Sequence, residues 1–240
     1  MVNPNKSRSK RKTQFSEETI IDCIGVLESG DVEELFEIIP RIGVLRDSRF
    51  HGPLLALLRD PDYKKREFAA YAMGAMGSKE FLQPLQEAFK KVEKSRGSAE
   101  EELQLAIIEA IGAVGGDDAV KLLVPILKRP ESSKANKKLR KWIVESLGAI
   151  GQQGGERSLE TLLEITEHED QNLRALAISE LSVAFWHRPN ELPESYLRRI
   201  HELTKDQNAP VAESALSALQ SLADVGCRSA EKLFAKRGGK

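Results

Sequence analysis

The sequence predicts an all-α protein, a right-handed α-α superhelix (a solenoid) of about six helical pairs. Two observations lead to this fold class. Apolar residues recur at helical spacing, and segments of similar pattern return every 34 to 38 residues. A membrane span is not expected, because apolar runs such as Leu122–Leu127 are far shorter than the about 20 residues that a spanning helix needs.

Five segments align as the second helix of a pair: Arg66–Gly77, Gln104–Gly115, Arg140–Gly151, Arg174–Phe185 and Ala212–Ala223. Their fourth, eighth and eleventh positions are apolar in every copy, and these spacings place them on one helical face. We therefore predict that this face is buried. It comprises Ala69, Met73, Met76, Ile107, Ile111, Val114, Ile143, Leu147, Ile150, Ala177, Leu181, Ala184, Ala215, Leu219 and Leu222.

An amphipathic segment precedes each of these and supplies the first helix of its pair: Gly52–Leu58, Phe81–Val92, Ala119–Leu127, Leu159–Ile165 and Tyr196–Leu203. An offset of 31 residues carries Ile42-Gly43 onto Met73-Gly74, which adds a sixth pair, Glu17–Leu27 with Val32–Gly43. Arg228–Ala235 is a terminal helix. The predicted organisation is a disordered basic tail at 1–15, one repeat array over 16–235 and a basic tail at 236–240.

The net charge of −1 results from cancellation between the ends and the body of the chain. Without the eight basic residues of the two ends, segment 16–234 has 28 basic and 37 acidic residues, a net charge of −9. The N-terminal tail is either a solubilising terminus or a contact for nucleic acid or an acidic partner. Its basic residues are Lys6, Arg8, Lys10, Arg11 and Lys12.

The N-terminal tail lacks the apolar stretch of a secretory signal peptide. We therefore expect an intracellular, cytoplasmic protein. In a reducing compartment its two cysteines, Cys23 and Cys227, remain free thiols.

In the repeated segments a loop aspartate precedes an arginine, and the arginine precedes a helix of small residues that ends in two spaced glycines. This pattern resembles the HEAT repeat, most closely the short HEAT-like class of phycobilin lyases. The pattern occurs as Asp60, Arg66 and Met73-Gly74-Ala75-Met76-Gly77. It returns as Leu139-Arg140 with Leu147-Gly148-Ala149-Ile150-Gly151, and Leu173-Arg174 opens a copy in which Ser182 and Phe185 replace the glycines. The resemblance covers about residues 16–224 and implies the solenoid fold.

Some relatives implied by this resemblance are enzymes, namely bilin lyases and di-iron hydroxylases. The hydroxylases carry His-Glu pairs at the starts of their second helices, where this chain has Glu67, Lys141 and Ala175. Its own pairs, His168-Glu169 and His201-Glu202, fall on first helices. We predict no catalytic residue, metal or cofactor, and hence no enzyme. The lyase alternative rests on the resemblance alone and stays open.

The second and sixth positions of the second helices are predicted to face a concave groove. The charged residues at these positions are one lysine, Lys141, and four glutamates, Glu67, Glu109, Glu145 and Glu213. The resulting negative charge would repel a phosphate backbone and favours a polypeptide with a basic segment. The sequence thus predicts a non-enzymatic scaffold that binds a protein or peptide. The predicted contacts are Glu67, Tyr71, Glu109, Lys141, Trp142, Glu145 and Trp186.

A nucleic-acid or ribosome-associated protein is the main alternative. It would use the N-terminal tail together with a basic cluster at Lys134, Lys137 and Lys138, which precedes Arg140 and Lys141. The recurring arginines Arg66, Arg140 and Arg174 are instead expected to bond carbonyls or carboxylates of the loops. Oligomeric state is left open by the sequence.

Deleting residues 1–13 tests this alternative. If the tail supplies phosphate contacts, the full-length chain binds RNA or DNA with an affinity that falls as salt rises, and the truncated chain loses that binding. The measurement is the binding of labelled RNA and labelled DNA at several salt concentrations. Absence of binding by the full-length chain would contradict the hypothesis.

Overall fold

The computed structural model describes the backbone of residues 4–95, 97–129 and 134–235, and the side chains of 17–95, 97–129 and 137–234. The described residues form 13 α-helices and no β-strand. Two compact units divide the chain, residues 1–114 and 115–240. No helix in the described ranges is both long enough and apolar enough to cross a membrane.

Unit 1 consists of three helical pairs. The second helices lie side by side, with α4 packed against both α2 and α6, and each first helix packs against its own second helix. The pairs are α1 (Pro4–Ser29) with α2 (Val32–Leu45), α3 (His51–Leu57) with α4 (Tyr63–Met76), and α5 (Leu82–Val92) with α6 (Ser98–Val114).

Unit 2 repeats this plan and adds a terminal helix. Here α10 packs between α8 and α12, and the terminal helix α13 packs on α12. The pairs are α7 (Gly116–Leu127) with α8 (Lys134–Gln152), α9 (Glu156–Ile165) with α10 (Gln171–Ala184), and α11 (Glu194–Leu203) with α12 (Ala209–Asp224); α13 is Arg228–Ala235.

The predicted all-α class and all six predicted pairs are confirmed. All fifteen residues of the predicted apolar face are buried, with at most 8% of any of them exposed. The structure also shows the 31-residue offset. A short 3₁₀ turn precedes α3 at Ser48–Phe50, and another precedes α5 at Lys79–Phe81. Each turn ends in a buried aromatic residue, Phe50 or Phe81.

The N-terminal end of unit 1 differs from the sequence-based boundary. Helix α1 begins at Pro4, whereas the sequence places the first helix at Glu17–Leu27. The predicted tail side chains (Lys6, Arg8, Lys10, Arg11 and Lys12) and residues 236–240 lie outside the part of the chain that the structure describes. The tails and the single repeat array over 16–235 therefore stay predictions.

Loop aspartates start several of the second helices. Asp31, Asp62 and Asp170 each precede a helix, and each carboxylate accepts backbone N–H groups of the first turn. Such N-caps satisfy donors that have no partner inside the helix, and each contributes about 1 kcal/mol. The aspartates therefore fix where α2, α4 and α10 begin.

Two glycines of α4 have different physical roles. Gly77 ends the helix in the left-handed conformation, with φ of 65°. Gly74 lies where α4 approaches α6, because a Cβ atom at this position would be 2.9 Å from the Cα atom of Ala110. A small residue at position 74 therefore sets the distance between two second helices.

Replacing Gly74 by alanine should destabilise the protein. The added methyl group meets backbone, so the two helices must separate, at a cost of about 1–3 kcal/mol in the free energy of unfolding. Gly25→Ala is the matched control: no atom lies within 4 Å of a Cβ there, and alanine should stabilise α1 by up to about 1 kcal/mol. Urea denaturation measures both. Equal effects of the two variants would contradict the packing role of Gly74.

Candidate interaction surface

The second helices of unit 1 share a face that is not covered by the first helices. On each helix its residues are spaced by three, four or seven positions, so they form one stripe. We call this surface the unit-1 face; it consists of Phe36, Pro40 and Val44 on α2, Lys64, Glu67, Tyr71 and Ala75 on α4, and Glu102, Glu109 and Ala113 on α6.

One end of the unit-1 face is an ion-pair network. Lys64 Nζ lies 2.7 Å from Glu67 Oε2 and 3.6 Å from Glu102 Oε2, which joins α4 to α6. The pKa of Lys64 is raised, mainly because its ammonium group donates a hydrogen bond to Glu67. The expectation that Glu67 points outward is wrong, since only 8% of the residue is exposed. Lys64, one turn earlier on α4, binds its carboxylate.

The middle of the unit-1 face is aromatic. The Phe36 ring meets Phe68 at a centroid distance of 5.9 Å and Tyr71 at 6.5 Å, both edge to face. Burial raises the pKa of Tyr71, and the carboxylates of Glu109 and Glu67 raise it further. The predicted contacts Tyr71 and Glu109 are thus close to each other. Phe36 was missed in the sequence, although the 31-residue offset aligns it with Glu67.

Unit 2 has a different face on its second helices. Lys141 Nζ lies 3.5 Å from Glu145 Oε1 on the same helix, α8. The Glu180 side chain of α10 crosses Gly148, where a Cβ atom would be 1.9 Å from its Oε2. Burial and then the carboxylate of Glu145 raise the pKa of Glu180 to about 7. Glu180 was missed because it stands at the seventh position of its helix, outside the two columns predicted to face outward.

The two tryptophans of unit 2 differ in exposure. Trp142 is half-buried, while 48% of Trp186 is exposed just after the end of α10. The buried Phe185 beside it meets Tyr196 edge to face at 6.4 Å and lies under the Arg188 guanidinium at 5.2 Å. The polypeptide around Trp186 is therefore held in place, and the indole itself reaches solvent.

The predicted basic cluster is reduced by internal contacts. Arg140 is buried and donates to the carbonyl oxygen of Arg129, and Lys141 is bound by Glu145. Lys137 and Lys138 are exposed. The Lys134 side chain lies outside the described residues. The phosphate-binding role of the cluster stays a prediction.

Comparison with known proteins identifies the repeat type in the middle of the chain. Residues 92–182 match the family model for HEAT repeats. The matched range contains the Arg140–Gly151 copy of the motif and the Leu173-Arg174 opening of the next. The resemblance to HEAT repeats is confirmed there. No curated protein is significantly similar to the chain.

Two of the solved structures that are similar to this chain are engineered or computationally designed proteins. One engineered protein is 19% identical, with 85% of this chain and 96% of that chain covered and a TM-score of 0.43. Computationally designed armadillo repeat proteins for modular peptide recognition are 18% identical, with coverage of 83% and 98% and a TM-score of 0.43.

The described residues contain no group of three His, Cys, Asp or Glu residues that could hold a metal ion. His168, in the first His-Glu pair, accepts the backbone N–H of Asp170 at 3.0 Å through Nδ1 and so helps to shape the loop before α10. Cys23 and Cys227 are both buried free thiols, and burial raises the pKa of Cys23. A raised pKa leaves less of the reactive thiolate at neutral pH.

Replacing Glu180 by glutamine should change how stability depends on pH. Between pH 4.5 and about 7 the folded chain keeps a proton on Glu180 that the unfolded chain has released, so stability falls as pH rises through this window. Glu180→Gln removes that loss. At pH 8 the variant should be more stable by on the order of 1–3 kcal/mol, and at pH 4.5 nearly equal to the natural chain.

Urea denaturation at pH 4.5 and pH 8 measures this difference. Glu213→Gln is the control, because it makes the same chemical change at an exposed position of α12. A gain in stability for Glu180→Gln that is the same at both pH values would contradict the assignment.

Proposed function

We propose that this chain is a non-enzymatic interaction protein that binds a protein or peptide segment through the unit-1 face. The main support is a set of exposed apolar residues on a face that also carries carboxylates. Val44 is 84% exposed, and Pro40 and Ala113 are exposed as well. Single exposed apolar residues are ordinary, but a contiguous patch with polar residues at its edge is typical of an interaction surface.

The charges of the unit-1 face favour a basic partner. Glu102 and Glu109 are exposed, and the one lysine of the face, Lys64, is already bound by Glu67. The face therefore carries three carboxylates and one ammonium group. Such a surface attracts lysine and arginine side chains and repels a phosphate backbone.

Tyr71 is the proposed anchor. Its ring is half-buried against Phe36, which in turn meets Phe68, so the tyrosine has little side-chain freedom left to lose on binding. Rigid aromatic residues at the centre of an interface often supply a large share of the binding energy. A partner with an apolar side chain for this ring and basic residues for the glutamates would fit the face.

The predicted contacts of unit 2 support the proposal less strongly. Its face combines Lys137 and Lys141 with Glu145, Glu180 and Glu213, so the surplus of carboxylates is one, against two on the unit-1 face. Lys141, Trp142, Glu145 and Trp186 stay predictions for a second contact. Exposed Trp186 is the best placed of them, since tryptophan is enriched at interface centres.

The partner can be trapped at the unit-1 face and then tested by charge. A photo-crosslinking residue in place of Val44 captures what lies on the exposed row, and mass spectrometry identifies it. The dissociation constant of the purified partner is then measured against the full chain. Glu102→Lys with Glu109→Lys should weaken binding at least tenfold, about 1.4 kcal/mol, and the natural complex should weaken as salt rises.

The matched control is Glu18→Lys with Glu28→Lys, which makes the same change of charge at exposed positions of α1. It should leave the dissociation constant unchanged. A partner that binds the Glu102/Glu109 variant as tightly as the natural chain would contradict the proposed role of this face.

A further inference from the structure

The three repeat arginines do not make the same contacts. Arg140 donates to the carbonyl oxygen of Arg129. Arg174 donates to the carbonyl oxygens of His168 and Glu169, at 2.9 and 3.1 Å, and to Asp206 Oδ1 at 3.4 Å. These two follow the expectation from the sequence. Arg66 does not, since its guanidinium has no hydrogen-bond acceptor among the described residues and its Nε is buried.

The missing contact has a local cause. Arg174 reaches forward to Asp206 in the α11–α12 loop of the following pair. The corresponding loop after α5, residues 93–97, contains no aspartate. Asp60, in the loop before α4, is already engaged by Lys65 at 3.8 Å and by the backbone N–H of Asp62.

Arg66 instead lines a pocket of about 40 Å³. Buried apolar side chains form part of its wall: Leu58 just after α3, Val92 on α5 and Leu103 on α6. Its exposed rim carries two cations, Arg59 and Lys91, and one carboxylate, Glu87. With Arg66 the pocket has an excess of two positive charges. A single water needs about 10–15 Å³ by the same measure, so a group of several atoms fits.

We propose that this pocket binds an oxyanion, a carboxylate or a phosphate group, with Arg66 as the main donor. A guanidinium presents parallel N–H groups that match two oxygens of either group. Arg59 and Lys91 add long-range attraction from the rim. The Nε–H group of Arg66 is buried without an acceptor among the described residues, and an oxygen of a bound anion would satisfy it. The pocket shares no residue with the unit-1 face, so it is a second and independent site.

Titration of the full-length chain with sodium phosphate and with sodium acetate tests the proposal, at constant ionic strength maintained with sodium chloride. The readout is the ¹⁵N-resolved Nε–Hε signal of Arg66, assigned from its loss in Arg66→Lys. At least one of the two anions should shift this signal saturably. A response to acetate alone points to a carboxylate ligand, and a response to phosphate points to a phosphate group.

Variants at the rim of the pocket test the proposal even if Arg66→Lys does not fold. Lys91→Gln combined with Arg59→Gln should weaken anion binding about tenfold, because two exposed charges at the pocket are removed. Lys90→Gln, the same change at the neighbouring exposed position, should leave binding unchanged. The proposal is overturned if neither anion shifts the Arg66 signal saturably, or if the rim variant binds as tightly as the natural chain.

Discussion

Close approach between neighbouring second helices is the constraint on which unit 1 depends. A Cβ atom on Gly43 would lie 3.1 Å from that of Ala75, and one on Gly74 would lie 2.9 Å from the Cα atom of Ala110. Larger residues on this seam would force the helices apart and would leave gaps beneath them, because protein interiors are close-packed. The seam fixes the register of α2, α4 and α6. Through that register Lys64 reaches Glu102 and Phe36 reaches Tyr71.

Burial in this fold could be predicted from the sequence because it follows a local period. The fourth, eighth and eleventh positions of each second helix share a face whatever the neighbouring helix contributes, and all of them are buried. Polar positions depend on neighbours instead. Glu67 has the period of an exposed residue, yet the Lys64 ammonium group holds its carboxylate close to the helix. Glu180 is half-buried only because position 148 of another helix lacks a side chain.

The candidate surface shows the same limit. Tyr71 and Glu109 could be predicted because they occupy one column of the repeat, but the aromatic partner Phe36 belongs to the least regular pair. The division into two units has no marker in the repeat spacing, so the sequence predicts one acidic groove along the whole chain. The surplus of carboxylates is larger on unit 1, because Lys137 and Lys141 offset two of the three glutamates Glu145, Glu180 and Glu213 on unit 2. Counting formal charges at equivalent repeat positions misses this difference, because an ion pair depends on which side chains are close in space.

The glycine and alanine seam of unit 1 also has an evolutionary consequence. Side chains on the seam are constrained by the backbone of the next helix, so relatives should tolerate only the smallest residues at positions 43, 74, 75 and 110. Residues of the unit-1 face other than Ala75 and Ala113 are not among the close neighbours of Gly43 and Gly74. Their identities can drift with the partner while the fold is kept. Among homologues, a seam that stays small beside a face that varies would separate selection for folding from selection for recognition.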